Sequence, residues 1–520
     1  MVPILEMKGI SRYFSSTDVL ANDRVDFSVE KGVVHALVGE NGAGKTTLMN
    51  ILYGLIKPDS GEIFIEGKKV RIGHPNDAIK VGIGMVHQHF ELVPSFTVAE
   101  NIKLGIEPTR AGFLNTRAEN EDVAQLAQKF GLKIDPQVRV RDLPVGMQQR
   151  VEILKVLQRQ AKIVILDEPT AVLTPQEVGE LSTVVRGLTK LGLTVIFITH
   201  KLIEVLDVCD RVSVMRAGRM VGTKAVAETD IPDLAKMMVG REVLLRVKKE
   251  PAKMGGVVFE SKDASVADIS GLAAISHVSF DVHAGEILGI AGVSGNGQTE
   301  LVEALAGMKP LDGGKFFFKD KDITATNVRA RRDLGIAHIP EDRMTVGLNL
   351  QTTLDENLIV SRYNQPEYSR MGFLIEKTIR NFVETVIKSF SISAARPGEG
   401  ISKLSGGNLQ KIVLGRELAG SPSLILANQP TRGLDVGSIE FVHKTLVEAR
   451  DRGCAIVLVS VELEEIMSLA DRILIFYRGM IQGELITSQT NEHEVGILMA
   501  GGTMEEVRKQ KAAAESEVNR

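Results

Sequence analysis

The 520 residues exceed what one hydrophobic core holds, since single cores stop growing near ~250–300 residues, so at least two domains are expected. A net charge of −4, from 62 Lys and Arg against 66 Asp and Glu, argues against general nucleic-acid binding. With Cys209 and Cys454 the only cysteines, a disulfide framework or zinc–cysteine cluster is excluded, and no apolar run approaches the roughly 20 residues a membrane-crossing helix needs.

In chain order, the apolar run Val33–Val38 ends in Gly39-Glu40-Asn41-Gly42-Ala43-Gly44-Lys45-Thr46-Thr47. This fits the phosphate-loop pattern G-x-x-x-x-G-K-[ST] in full, and the context predicts strand, loop, then a helix from about Lys45. A Gly-rich loop at a helix start aims backbone N–H groups at phosphate oxygens. Lys45 would reach the β- and γ-phosphates, and Thr46 would give its hydroxyl to Mg²⁺. Residues 97–160 are more polar and helical, suggesting an inserted helical subdomain. The apolar, β-branched runs Ile163–Leu166 and Thr194–Ile198 read as buried parallel strands. The first ends in two acids, which suits a ligand crevice at a strand's carboxyl end. There Asp167 would hold Mg²⁺ and Glu168 would polarise an attacking water. Arg241 to Met254 mixes Lys, Arg, Glu and Pro without periodicity and reads as a linker.

Beyond the linker the pattern recurs. Gly292 opens a second glycine loop, Gly292 to Glu300, 253 residues after Gly39. Leu404 lies 261 residues after Leu143, and Pro430, Asp471-Arg472 and Met499-Ala500-Gly501 keep the same offset from Pro169, Asp210-Arg211 and Met238-Val239-Gly240. So long a period indicates duplicated domains, not a solenoid. The expected organisation is a first domain at 1–242, a linker at 243–256, a second domain at 257–505, and a charged tail at 506–520.

Leu404-Ser405-Gly406-Gly407-Asn408-Leu409-Gln410 resembles the signature sequence of ABC-transporter ATPases, and Thr199-His200 after a strand resembles their histidine switch. Gln88, in Val86-His87-Gln88, resembles their Q-loop glutamine. The resemblance covers residues 4–500. It implies two tandem α/β ATPase domains, each with a RecA-like core and a helical insertion. It also implies an ATP sandwich, in which one domain's phosphate loop faces the other's signature. Lys45 would then face Ser405, Gly406 and Gly407, with Asp435 as D-loop neighbour and Gln88 touching Mg²⁺ and the water. Phe14, some 25 residues before the phosphate loop, would stack on adenine.

The second such site is degenerate. Gln298 replaces the phosphate-loop lysine, and Pro144 and Val145 replace the signature's serine and first glycine. Asn428 stands at the Asp167 position, Gln429 at Glu168, Val461 at His200, and Ile339-Pro340-Glu341 lacks a glutamine where Gln88 lies. Between Val257 and Ser270 the only aromatic is Phe259. One catalytic site and one non-hydrolytic site are expected.

Fused modules with a degenerate second loop and Pro430-Thr431-Arg432-Gly433-Leu434-Asp435-Val436-Gly437 resemble the energising subunits of simple-sugar importers of the ribose type. His87-Gln88-His89-Phe90, Leu143 to Met147 and Gln298-Thr299-Glu300 are most similar to the nucleoside-importing branch. The resemblance implies ATP and Mg²⁺ as cofactors, two transmembrane permease subunits and an extracytoplasmic solute-binding lipoprotein as partners, and a place on the cytoplasmic side of the membrane. Nucleoside, simple sugar and other small solutes remain open as cargo. A soluble tandem ATPase acting on ribosomes is the alternative from another class; such proteins usually keep both sites intact and carry a long charged linker. Among lesser candidates, His87 and His89 read as surface or supporting histidines, both cysteines as packing residues, and Lys68-Lys69 and Arg329, Arg331 and Arg332 as solvated faces.

Overall fold

The computed structural model describes residues 3–507 except 16–17, 89, 111–112, 171–172, 174, 243–246, 248, 268–270, 294, 394–395 and 500. His89, Ser294, Ala500, parts of the expected linker and most of the expected tail therefore lie outside the described residues. The chain divides into two compact units, Met1–Val243 with Asp435–Gly437, and Leu244–Leu434 with Ser438–Arg520.

In the first unit the continuous apolar runs form central strands of a six-stranded sheet. Its order is Arg219–Ala225, Arg211–Arg216, Val34–Val38, Thr194–Ile198, Ile163–Asp167, Ile83–Val86. All neighbours are parallel except the edge strand Arg219–Ala225. Strands such as Val34–Val38, Ile163–Asp167 and Thr194–Ile198 are buried at every position, as expected when a parallel sheet is covered on both faces. A second, antiparallel sheet orders Val19–Val29, Leu5–Phe14, Ser60–Ile65 and Lys68–Val70. The predicted helical insertion comprises Val98–Lys103, Thr116–Lys129 and Val145–Gln158.

The second unit repeats this plan. Its six-stranded sheet runs Ile336–Ile339, Leu424–Asn428, Ala455–Ser460, Ile287–Ala291, Arg472–Tyr477, Met480–Ile486, and its antiparallel sheet contains Ala273–His283, Val257–Ala267, Gly313–Phe318 and Lys321–Asp322. Helices Leu354–Ile359, Glu376–Ser389 and Gly406–Leu418 make its helical insertion. The α/β fold expected for each copy is thus present. Lys249, within the expected linker, donates to the carbonyls of Leu469 and Ala470 and pairs with Asp471 at 2.9 Å, so this end of the segment is anchored to the second unit. Val507 packs into the same unit's core.

One expectation is overturned. Arg331 is no solvated residue: it is buried, and its guanidinium donates to the carbonyls of Ala304, Leu305 and Ile323. It thereby satisfies the carbonyl end of helix Gln298–Ala306, whose last C=O groups have no intrahelical partner. Arg332 pairs with buried Glu417 at 3.1 Å, where Arg416 also binds at 2.8 Å. Lys68 and Lys69 are exposed as expected, and both cysteines are buried thiols, with Cys454 pushed up to about 12 by burial.

Burial pushes the Glu417 carboxyl up, but the Arg416 and Arg332 guanidiniums outweigh it and hold the group below the usual carboxylate range. A carboxyl depressed in the folded state stabilises fully above its unfolded pKa, and that contribution fades as pH falls through the folded value. Glu417→Gln should therefore cost about 3 kcal/mol at pH 7, leaving Arg416 buried without its counter-charge. Denaturation midpoints measured from pH 7 to pH 3 should show the gap between the two proteins closing as pH falls.

Candidate active site

Three strand ends meet at the carboxyl edge of the first unit's sheet. Val34–Val38 feeds the phosphate loop, Ile163–Asp167 ends in the acids, and Thr194–Ile198 leads to His200. An open α/β sheet binds its ligand in such a crevice. Gly42 and Gly44 take φ values of 83° and 96°, and a Cβ on Gly44 would lie 2.2 Å from the Ala21 carbonyl, so only glycine closes this turn. Helix Lys45–Tyr53 starts at once. Lys45 is buried, and its Nζ donates to the carbonyls of Gly39 at 2.7 Å and Glu40 at 3.0 Å, which folds the ammonium back under the loop. Burial lowers its pKa, while Glu168 and Asp167 pull the other way.

Glu168 joins the predicted catalytic residues. Its Oε2 accepts from Gln88 Nε2 at 2.8 Å and its Oε1 lies 3.1 Å from His200 Nδ1, so the sequence-distant residues 88, 168 and 200 converge. The contact with His200 holds its carboxyl below the usual range, against the effect of burial and with help from Lys45. Asp167 is different: burial first, then the Glu168 charge, push it up to about 6. The two neighbouring carboxylates thus shift in opposite directions, with His200 and Lys45 favouring the ionised form of Glu168. Asp167 lacks a full counter-charge.

That shortfall fits Mg²⁺. Hard oxygen donors are available in Asp167, the Gln88 amide and the hydroxyl of Thr46, exposed in the first turn of its helix. Mg²⁺ keeps several waters and needs only one or two carboxylates beside substrate phosphates. No cluster of three or more His, Cys, Asp or Glu suited to a metal occurs among the described residues.

Glu168 has a positive φ of 46°, a strained position for a non-glycine residue, and its N–H donates to the Ile198 carbonyl at 2.9 Å. Residues that the sequence reading did not single out support this turn. Gln149 donates to the Pro169 carbonyl at 2.6 Å, and buried Glu204 accepts from the hydroxyls of Thr170 at 2.8 Å and Thr199 at 3.0 Å. Asn22 donates to the Gly44 carbonyl at 3.1 Å. The duplication carried a signal for some of these: Gln410, Thr431 and Glu465 stand 261 residues after Gln149, Thr170 and Glu204.

Phe14 ends its strand half-buried, with the Arg12 guanidinium 4.9 Å from its ring centroid. Phe259 is 1% exposed and packs on Phe280 and Phe316, so it is core and no base platform. His87 stacks edge-on against Tyr53.

The second unit keeps this backbone and lacks its chemistry. Gly295 and Gly297 have φ values of 85° and 100°, and Gln429 has 49° with its N–H on the Val459 carbonyl at 2.8 Å. Gln298, with a neutral amide, donates to the Val293 carbonyl at 3.3 Å. Gln429 Oε1 accepts from the Val461 amide at 3.4 Å, where Glu168 has an imidazole. Ile275 takes the place of Asn22 and packs against Gly297.

The signatures are the mirror image. Ser405 caps helix Gly406–Leu418, its hydroxyl accepting from the Asn408 amide. Helix Val145–Gln158 of the first unit has Pro144 at its cap and no side-chain cap bond. Its Gly146 amide, at the position of Gly407, instead donates to the Glu177 carboxylate of its own unit at 3.2 Å. Asp435 directly precedes helix Val436–Asp451.

Residues 22–171 and 275–432 match the family model described as ABC transporter. The chain is similar to the nucleoside import ATP-binding protein NupA of Lactococcus lactis subsp. cremoris, at 44% identity over 97% of this chain and 99% of that one. It is also similar to the guanosine import ATP-binding protein NupO of Bacillus subtilis, at 46% identity over 97% and 99%. The ribose import ATP-binding protein RbsA of Bacillus licheniformis is 38% identical over 96% and 99%. With two family matches that together span more than half its length, and nearly full-length relatives at 38–46% identity, this chain belongs to the ABC transporter family as an ATP-hydrolysing subunit.

Proposed function

We propose that this chain energises an ABC importer for nucleosides and burns ATP at one composite site, built from the first unit's phosphate loop and the second unit's signature. The observation that carries the one-site reading is the division of Glu168 and Gln429. Both occupy the same left-handed turn, but only Glu168 is a carboxylate engaged by a glutamine and a histidine. Nucleoside cargo is supported by the nearly full-length similarity to NupA and NupO, whose names specify nucleosides and guanosine. The RbsA similarity supports a simple sugar as the second reading.

In the proposed cycle the phosphate loop receives the triphosphate through its amides and Lys45, and Phe14 carries the base. Ser405, Gly406 and Gly407 close on the γ-phosphate from the other side, with Asp435 beside them. Mg²⁺, held by Thr46, Gln88 and Asp167, would offset phosphate charge. Ionised Glu168 orients a water for attack on the γ-phosphorus, an O–P bond forms as the bond to ADP breaks, and His200 keeps the carboxylate aimed. Phosphate oxygens bridging two halves favour a closed state, and their removal lets the halves part. In the second composite site a neutral Gln298, the Glu177 carboxylate on the Gly146 amide and the neutral pair Asn428 and Gln429 disfavour hydrolysis.

Two permease subunits would dock near residues 88–105 and 339–358, with an extracytoplasmic binding lipoprotein delivering cargo, and the chain would lie on the cytoplasmic face of the membrane. Among the described residues no helix is long and apolar enough to cross a membrane.

Glu168→Gln should abolish steady-state ATPase activity, while Gln429→Ala should keep most of it; equal losses would reject the one-site scheme. Ser405→Ala removes one hydrogen bond to a charged phosphate, about 1.5–3 kcal/mol, so turnover should fall about 10–100-fold. Glu204→Ala leaves Thr170 and Thr199 unheld and should lower kcat by up to about 10²-fold through misplacement of Glu168. For cargo, a strain lacking this subunit should lose uptake of labelled nucleosides and keep that of ribose; the opposite pattern establishes the sugar reading.

A further inference from the structure

The connection following the sheet's edge strand differs between the copies. In the first, eleven residues join Ile83–Val86 to Val98–Lys103; in the second, fourteen join Ile336–Ile339 to Leu354–Ile359. Much of the longer connection is a π-helical turn, Arg343–Gly347, capped by Asp342, whose carboxylate accepts from the amides of Met344 at 2.9 Å and Thr345 at 3.0 Å. Such turns are rare and cluster at functional sites.

The turn faces the second unit's signature and the loop after strand Leu424–Asn428. Arg343 Nη1 donates to the Arg432 carbonyl at 2.7 Å, and Nη2 lies 3.5 Å from the Gly433 carbonyl. Nη2 also sits 3.0 Å from where a Cβ on Gly406 would be, so this guanidinium fills the space at the start of the signature helix. Glu341, at the position of Gln88, forms an ion pair with the Arg432 side chain. Farther along the signature helix, buried Arg416 donates to the Gly347 carbonyl at 2.7 Å. In the first unit the corresponding connection spends Gln88 on Glu168, and it is linked to helix Val145–Gln158 through Glu91, whose amide donates to Glu152 at 2.7 Å and whose carbonyl accepts from Lys155 at 2.8 Å. In the second unit Gln429 stands in place of Glu168, and the connection is held to residues 432–433 through Arg343 and to the signature helix through Arg416.

We propose that Arg343 is a positioning residue for ATP hydrolysis: it ties residues 432–433 and the start of the signature helix to the π-turn, so that these elements present to ATP as one rigid group. The proposal rests on the composite-site reading, in which Ser405 faces the ATP held by Lys45. Arg343 itself touches no phosphate. Its two donors are fixed in one plane and span two successive carbonyls, which a lysine ammonium reaches only one at a time. Displacing a positioning group by about 1 Å costs on the order of 10² in rate.

The test measures kcat and KM for ATP, with thermal midpoints, on the full chain in its permease complex for Arg343→Ala, Arg343→Lys and Ser405→Ala. Arg343→Ala should lower kcat about 10–100-fold and leave KM for ATP within about threefold, since the Lys45 loop is untouched. Arg343→Lys should recover part of the lost rate at an unchanged midpoint. If Arg343→Ala turns over like the parent while Ser405→Ala falls, the positioning role is wrong and the composite site stands. If both turn over like the parent, the composite site fails and takes this inference with it. Equal loss in both Arg343 variants, with a lowered midpoint, would mark the residue as fold support only and overturn the proposal.

Discussion

Glu168 is the residue on which the proposed chemistry depends. A parallel strand buried on both faces delivers it to the sheet's carboxyl edge, and a left-handed turn, costing about 1–3 kcal/mol in a non-glycine residue, aims it into the crevice. Both carboxylate oxygens are then engaged, one by an amide from the neighbouring connection and one by an imidazole from the adjacent strand end. Take away either partner and the carboxylate drifts in orientation or charge. Take away the carboxylate and the turn becomes strain without use.

The second copy is that last case. Gln429 retains the turn and its backbone hydrogen bond, and glycines still open the loop before Gln298. Fold constraints explain the persistence: the strand order, the buried Thr431–Glu465 contact at 2.8 Å and the glycine φ values hold the unit together whether or not ATP is cleaved. The side chains that differ are Gln298, Asn428, Gln429 and Val461, at the positions of Lys45, Asp167, Glu168 and His200. Conversely, Pro144 leaves the first unit's helix Val145–Gln158 without a side-chain cap, and the Glu177 carboxylate accepts from its Gly146 amide. The differing residues fall on the phosphate loop and acids of one copy and on the signature of the other, the division that the proposed composite site calls for.

Much of this was readable beforehand because short-range rules govern it. Continuous apolar runs identified the central strands, and glycine spacing identified the phosphate loops. Long-range contacts were harder. Arg331 sits in an arginine cluster that looks like solvated surface, yet it closes a helix 26 residues away in sequence. Phe259 is the only aromatic between Val257 and Ser270, and the antiparallel sheet turns it inward. Glu204 and Gln149 leave no mark in a single copy, because nothing in local sequence says which turn they support. Only their recurrence at one offset hints at it. The π-turn at Arg343 has no periodicity to detect; its contacts appear only once the sheet brings residues 343 and 432 together.

The central claim is geometric, and a structure of the permease-bound, ATP-loaded protein with hydrolysis blocked by Glu168→Gln tests it most directly. The account predicts one γ-phosphate with Lys45 Nζ and Ser405 Oγ both within about 3 Å, the ordinary hydrogen-bond range. Lys45 and Ser405 bound to different triphosphates would contradict it.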